Sequence, residues 1–240
     1  MKVPTHTRFK VCCISSSREA DLAIEAGACA LGLVSHMPSG PGVIPDDRIA
    51  EIAARVPPGI DTFLLTSLQE PESIVEQHRS ARTSALQLVD RLPRGSHAEL
   101  RSALPGVRLV QVIHVVDEGA IAEAEQVADV VNAILLDSGN PALETKELGG
   151  TGRRHDWAVS ARIRERVDVP VFLAGGLNPD NAAEAVEAVG PFALDACSGL
   201  RDDDFALDRD KLTRFAAALG RMPRRRAMRS TSRRVPSRRR

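Results

Sequence analysis

Eight short apolar runs alternate with eight segments of helical spacing along this chain, and that alternation narrows its fold more than any other feature. The runs cover residues 9–14, 29–34, 61–66, 85–89, 108–115, 130–137, 170–176 and 192–199. Helical patterns fill 17–27, 45–56, 70–80, 96–104, 117–128, 156–167, 178–190 and 208–219. Strands that alternate with helices imply a parallel sheet, and near-continuous apolar strands fit a sheet covered on both faces. Eight such units in about 220 residues match a closed (β/α)8 (TIM) barrel in the α/β class, because open doubly wound sheets more often have five or six strands. Local signals agree. Ser17 with Glu19 and Asp21, and Pro45 with Asp46 and Asp47, read as helix starts. Gly27 and Gly190 read as left-handed helix ends.

Composition sets the class. Hydrophobic residues make up 43% of the 240 and charged residues 27%, the balance of a soluble globular protein. No apolar run approaches about 18 residues, and the opening "MKVPTHTRFKVCC" lacks the order of a signal peptide, so a cytoplasmic protein without membrane contact is expected. Cys12, Cys13, Cys29 and Cys197 have neither zinc-type pairing nor the density of a disulfide scaffold, and read as reduced thiols. The formal net charge of zero hides an asymmetry. Residues 221–240 hold ten arginines and no acid, which leaves 22 basic against 32 acidic residues over 1–220, a charge of −10. Residues 1–220 are therefore expected to form one barrel domain and 221–240 a disordered basic tail. A solvated extension is the favoured reading of that tail over nucleic-acid contact, since no aromatic residue interleaves with its arginines.

In barrels of this kind the site lies at the C-terminal ends of the strands, and the loops after strands seven and eight commonly hold phosphate. "AGG" (174–176) ends the seventh run and "CSG" (197–199) the eighth. Glycine there lets peptide N–H groups approach an anion, although a plain tight turn would use the same residues. Asp137 ends the sixth run and Cys12 lies in the first. An acid at such a place suits proton transfer, or caps a loop. A thiol packs a core, or acts as base or nucleophile once a neighbour lowers its reference pKa of about 8.5. By the strand period of two, Cys13 is expected to point away from Cys12 and serve structure alone.

These stretches together resemble one family. "KVCCI" (10–14), "GLV" (32–34), "LQL" (86–88), "LLDS" (135–138), "GGTGRRHDW" (149–157), "LAGGLNPDN" (173–181) and "LDACSG" (194–199) are similar, in order, to phosphoribosylanthranilate isomerase. The resemblance implies a cofactor-free Amadori rearrangement in tryptophan biosynthesis, with Asp137 as general acid and Cys12 as general base. It also implies a substrate and phosphate site around Gln87, Gly150, Gly175, Gly176, Asp195, Ser198 and Gly199. An aspartate serves as acid near neutrality when burial or a nearby negative charge raises its pKa. The chain departs from the family at several points. Pro41 stands where an arginine is expected to meet the substrate carboxylate, Val89 and Asp90 replace a histidine and a glycine, Cys13 replaces a glycine and Arg201 an acid. His36, Arg153 and Arg201 are the candidates for a substitute cation. An alternative reading is a paralogue that acts on, or only binds, another phosphorylated sugar or amine. His114 and Trp157 read as core residues. No histidine or carboxylate cluster has metal-ligand spacing, so neither metal nor cofactor is expected, and monomer and homodimer both fit the pattern.

Overall fold

The computed structural model describes residues 7–143, 145–146, 148 and 152–220. The basic tail and Gly150 lie outside the described residues. Eight strands and eight α-helices alternate: β1 (Arg8–Val11), α1 (Ser17–Glu25), β2 (Ala30–Val34), α2 (Asp46–Arg55), β3 (Asp61–Thr66), α3 (Pro71–Ala81), β4 (Ala85–Leu88), α4 (Ser96–Ala103), β5 (Arg108–His114), α5 (Gly119–Ala128), β6 (Ala133–Asp137), α6 (Trp157–Arg166), β7 (Val171–Leu173), α7 (Ala182–Val189), β8 (Ala193–Ala196) and α8 (Arg209–Gly220). A 3-10 turn, Ser198–Leu200, lies between β8 and α8. The strands pair in parallel in chain order, and β1 pairs with β8 to close the barrel.

Every predicted unit is present, with strands trimmed at their ends. The two glycines after β7 and the "CSG" after β8 fall outside the ladders. The first helix is capped by Ser16, not by Ser17 as its sequence suggests: the Ser16 hydroxyl accepts from Glu19 N–H at 3.3 Å. Gly27 and Gly190 take positive φ, +93° and +64°, as predicted.

Alternation divides each strand between two cores. In β3, Leu64 packs outward among Ile49, Ile52 and Ile74 of the surrounding helices. Phe63 and Leu65 point inward with Val110, Val112, Leu135 and Phe172. Burying aliphatic residues of this size contributes about 1.5–3 kcal/mol each, so the two layers supply most of the drive to close the barrel. Trp157 opens α6 in the outer layer, and Arg154 lies 3.5 Å over its ring. His114 is buried at the end of β5, with Nε2 2.9 Å from the Val89 carbonyl.

Candidate active site

The interior carries polar side chains where β1, β4, β6 and β8 approach the C-terminal mouth. Lys10 of β1 is fully buried, and its ammonium donates to Asp195 of β8 at 2.7 Å. Burial pulls the Lys10 pKa down, yet the Asp195 carboxylate outweighs it and holds Lys10 above its ordinary value, so the lysine stays charged. Gly32 makes the room. A Cβ there would come within 2.8 Å of Cys12 Sγ and 3.0 Å of Lys10 Nζ.

Cys12 follows β1, and its N–H still donates to Ala196 O at 2.9 Å. Cys13 then takes φ +62°, a left-handed conformation that breaks the period of two. The expectation that Cys13 points away is therefore corrected. Both thiols line the same cleft and belong to the inner core. The Cys13 thiol donates to Pro41 O at 3.7 Å. Its closeness lowers the Cys12 pKa, against burial, and the charge of Lys10 adds to it. Cys13 is raised well above its usual value by the neighbouring Cys12 and Cys197 thiols and by burial.

The cleft encloses about 690 Å³, counting space open to solvent at its mouth. Cys12, Gln87, Asp137, Gly175, Gly176, Asp195 and Ser198 all line it. Gly199 does not, and a Cβ there would overlap the Leu177 carbonyl and Asn178, so this glycine seats the 3-10 turn against the loop after β7. The Gln87 Oε1 is buried with no hydrogen-bond partner among the described residues. Asp137 is 9% exposed, and its Oδ1 accepts from Ser138 N–H at 2.7 Å.

Gly175 and Gly176 take φ +87° and +62°. A Cβ on Gly176 would lie 2.9 Å from Gly152 O, and one on Gly175 3.1 Å from His155 Nδ1. Bare backbone is needed there because the loop after β6 crosses directly over it. The following "NPDN" holds the turn: Asn181 donates to Gly176 O at 2.9 Å and accepts from Asn178 N–H at 2.9 Å. Among the described residues, the amides of Gly175, Gly176 and Ser198 make no hydrogen bond to protein, which leaves them available to an anion. Burial lowers the His155 pKa despite the nearby charge of Asp137, which keeps this ring neutral above its lowered value.

Of the three predicted substitute cations, Arg201 is committed elsewhere. Its guanidinium is buried, donates to Glu19 Oε1 at 2.9 Å, and reaches the Cys12 and Cys13 carbonyls at 3.0 and 2.5 Å. His36 is exposed and stands outside the lining. The backbone of Arg153 lies against Gly176. Sequence reasoning missed Lys10, whose signal was a lysine in the middle of an apolar strand. It also missed Lys146, whose Nζ donates to Asp90 Oδ2 at 2.5 Å. Among the described residues no group of histidine, cysteine or acidic side chains could hold a metal ion, and no helix is long and apolar enough to cross a membrane.

Fold and cleft place the chain among the (β/α)8 barrels whose site opens at the C-terminal face of the strands. Residues 9–217 match the family model described as N-(5'phosphoribosyl)anthranilate (PRA) isomerase. The N-(5'-phosphoribosyl)anthranilate isomerase of Methanocella arvoryzae is 37% identical over 194 residues, which span 81% of this chain and 89% of that protein. That of Halobacterium salinarum is 37% identical over 212 residues, 88% and 94% of the two chains. The solved phosphoribosyl anthranilate isomerase of Thermotoga maritima superposes with a TM-score of 0.77 at 27% identity, covering 89% of this chain and 98% of its own. Another solved isomerase, in complex with reduced 1-(o-carboxyphenylamino)-1-deoxyribulose 5-phosphate, matches with a TM-score of 0.74 at 25% identity, covering 89% and 98%. The chain belongs to the phosphoribosylanthranilate isomerase family.

Proposed function

We propose that this chain isomerises N-(5'-phosphoribosyl)anthranilate to the corresponding 1-deoxyribulose 5-phosphate adduct. Asp137 acts as acid and Cys12 as base. The observation that carries the reading is that these two side chains line one cleft beside unbonded amides at Gly175, Gly176 and Ser198. The reaction needs little else. Protonation of the furanose oxygen by Asp137 breaks the C1–O bond and leaves an iminium at C1. Loss of the C2 proton to Cys12 then gives an enolamine. That species loses its enol O–H proton and gains one at C1, so the product is an isomer of the substrate. A thiol with a lowered pKa suits the base, because the proton it takes must be accepted near neutrality. The free amides suit the phosphate, and Gln87 offers an unpartnered acceptor to a sugar hydroxyl.

The test is turnover of N-(5'-phosphoribosyl)anthranilate, followed through anthranilate fluorescence. Asp137→Asn and Cys12→Ala are each expected to lower kcat by about 10²–10⁴-fold, the usual worth of a positioned acid or base. Absence of turnover by a folded wild type, or full activity of Asp137→Asn, would sink the reading.

A further inference from the structure

The inference that follows from the rim of the cleft rests on the isomerase reading, in which the ligand carries two anions, a phosphate and an aromatic carboxylate. The bare amides serve the first. The second needs a cation, because a desolvated, unpaired carboxylate is costly. The charged side chains among the described lining residues are Asp137 and Asp195, both acids. Lys10 lies beneath them, held by Asp195, and Arg201 is held by Glu19.

An ammonium stands beside residues of the lining, although neither Lys146 nor Asp90 is itself among the described lining residues. Ser39 Oγ donates to the Lys146 carbonyl at 2.6 Å, and Lys146 Nζ donates to Asp90 Oδ2 at 2.5 Å. Ser39, Val89 and Leu148, which bond to or neighbour this pair, all line the cleft. The pair is asymmetric: the Asp90 side chain is 7% exposed and that of Lys146 40%. The carboxylate is fixed in place, with Oδ1 also accepting from Arg91 N–H at 2.8 Å, while the Lys146 side chain is the more exposed member of the pair. A long, flexible stem lets that ammonium turn from one carboxylate to another within a few ångströms.

We propose that Lys146 selects the aromatic carboxylate of the ligand and that Asp90 is its built-in competitor. The protein's own carboxylate occupies the ammonium until the ligand's arrives. Lys146 is thus a specificity residue supplied by the loop after β6, and Asp90 lowers affinity for the carboxylated ligand while keeping the cation positioned.

The experiment compares two ligands by titration calorimetry: reduced 1-(o-carboxyphenylamino)-1-deoxyribulose 5-phosphate, and the same compound with a plain phenylamino group. Lys146→Gln is expected to weaken the carboxylated ligand by about ten- to a hundredfold, the worth of a charge-assisted contact, and to change the other less than about twofold. Lys146→Arg should keep the preference. Asp90→Asn should tighten the carboxylated ligand alone. The double variant Asp90→Asn/Lys146→Gln, which strands no buried charge, should remain weak for it. Equal effects of Lys146→Gln on both ligands, or none on either, would overturn the proposal and leave the isomerase reading intact. A folded wild type that binds neither ligand would overturn both.

Discussion

The Cys12 thiol has the Cys13 thiol and a buried ammonium for neighbours, and both favour its thiolate. Cys13 provides the first of these and sits in a left-handed conformation where glycine is at ease. That conformation costs a non-glycine residue about 1–2 kcal/mol, whereas glycine adds about 0.5–1 kcal/mol of backbone entropy to be lost on folding. Cys13→Gly relieves that strain but also empties a buried position of the inner core, so unfolding stability is expected to fall by about 1–2 kcal/mol. Its effect on chemistry has a definite sign. Without the Cys13 thiol the Cys12 pKa rises, so thiolate forms at higher pH, and alkylation of Cys12 by iodoacetamide should need a higher pH than in the wild type. An unmoved alkylation profile would show that Lys10 alone sets the thiolate. In the wild type, activity that depends on Cys12 as base should fall as pH drops through its lowered pKa.

At the scale of elements, the glycine turn after β7 is shaped by the loop that crosses it. Gly176→Ala would put a methyl group 2.9 Å from Gly152 O in a residue already at φ +62°. The turn or the crossing loop must shift. A cost of about 1–2 kcal/mol for the conformation alone is expected, together with weaker binding of phosphate-bearing ligands by about tenfold or more, readable as Kd for the reduced adduct. Glu19 ties three other segments together. It accepts from Ser15 N–H and Leu207 N–H, each at 2.9 Å, and pairs with Arg201, whose side chain is 1% exposed. Glu19→Gln leaves that guanidinium without a counter-charge, and urea unfolding should show a loss of about 3–5 kcal/mol.

For the whole molecule the same pair predicts a response to acid. Burial pushes Glu19 up, but Arg201 and the Ser15 amide outweigh it and hold its pKa below the usual carboxylate range. Its contribution is therefore complete above that range and is lost as pH falls through the lowered value. Thermal melts of the wild type should fall over that window, and those of Glu19→Gln should fall less. Residues 221–240, proposed to be separate from the barrel domain, should be dispensable to it: a chain ending at Gly220 is expected to melt within about 2 °C of the full chain. The alternation of periods 2 and 3.6 determined the eight units, the barrel and the ends of strands where Cys12 and Asp137 stand, because hydrophobic periodicity is a local property that each segment carries by itself. The pairings were decided only when the barrel closed. Lys10 meets Asp195 from 185 residues away, Arg201 meets Glu19 from 182 and Lys146 meets Asp90 from 56. A charge in the sequence names no partner, and its role depends on which side chain the packed fold places within hydrogen-bond reach. Cys13 shows the same limit at one residue, since a single positive φ turned inward a thiol that the strand period sends outward.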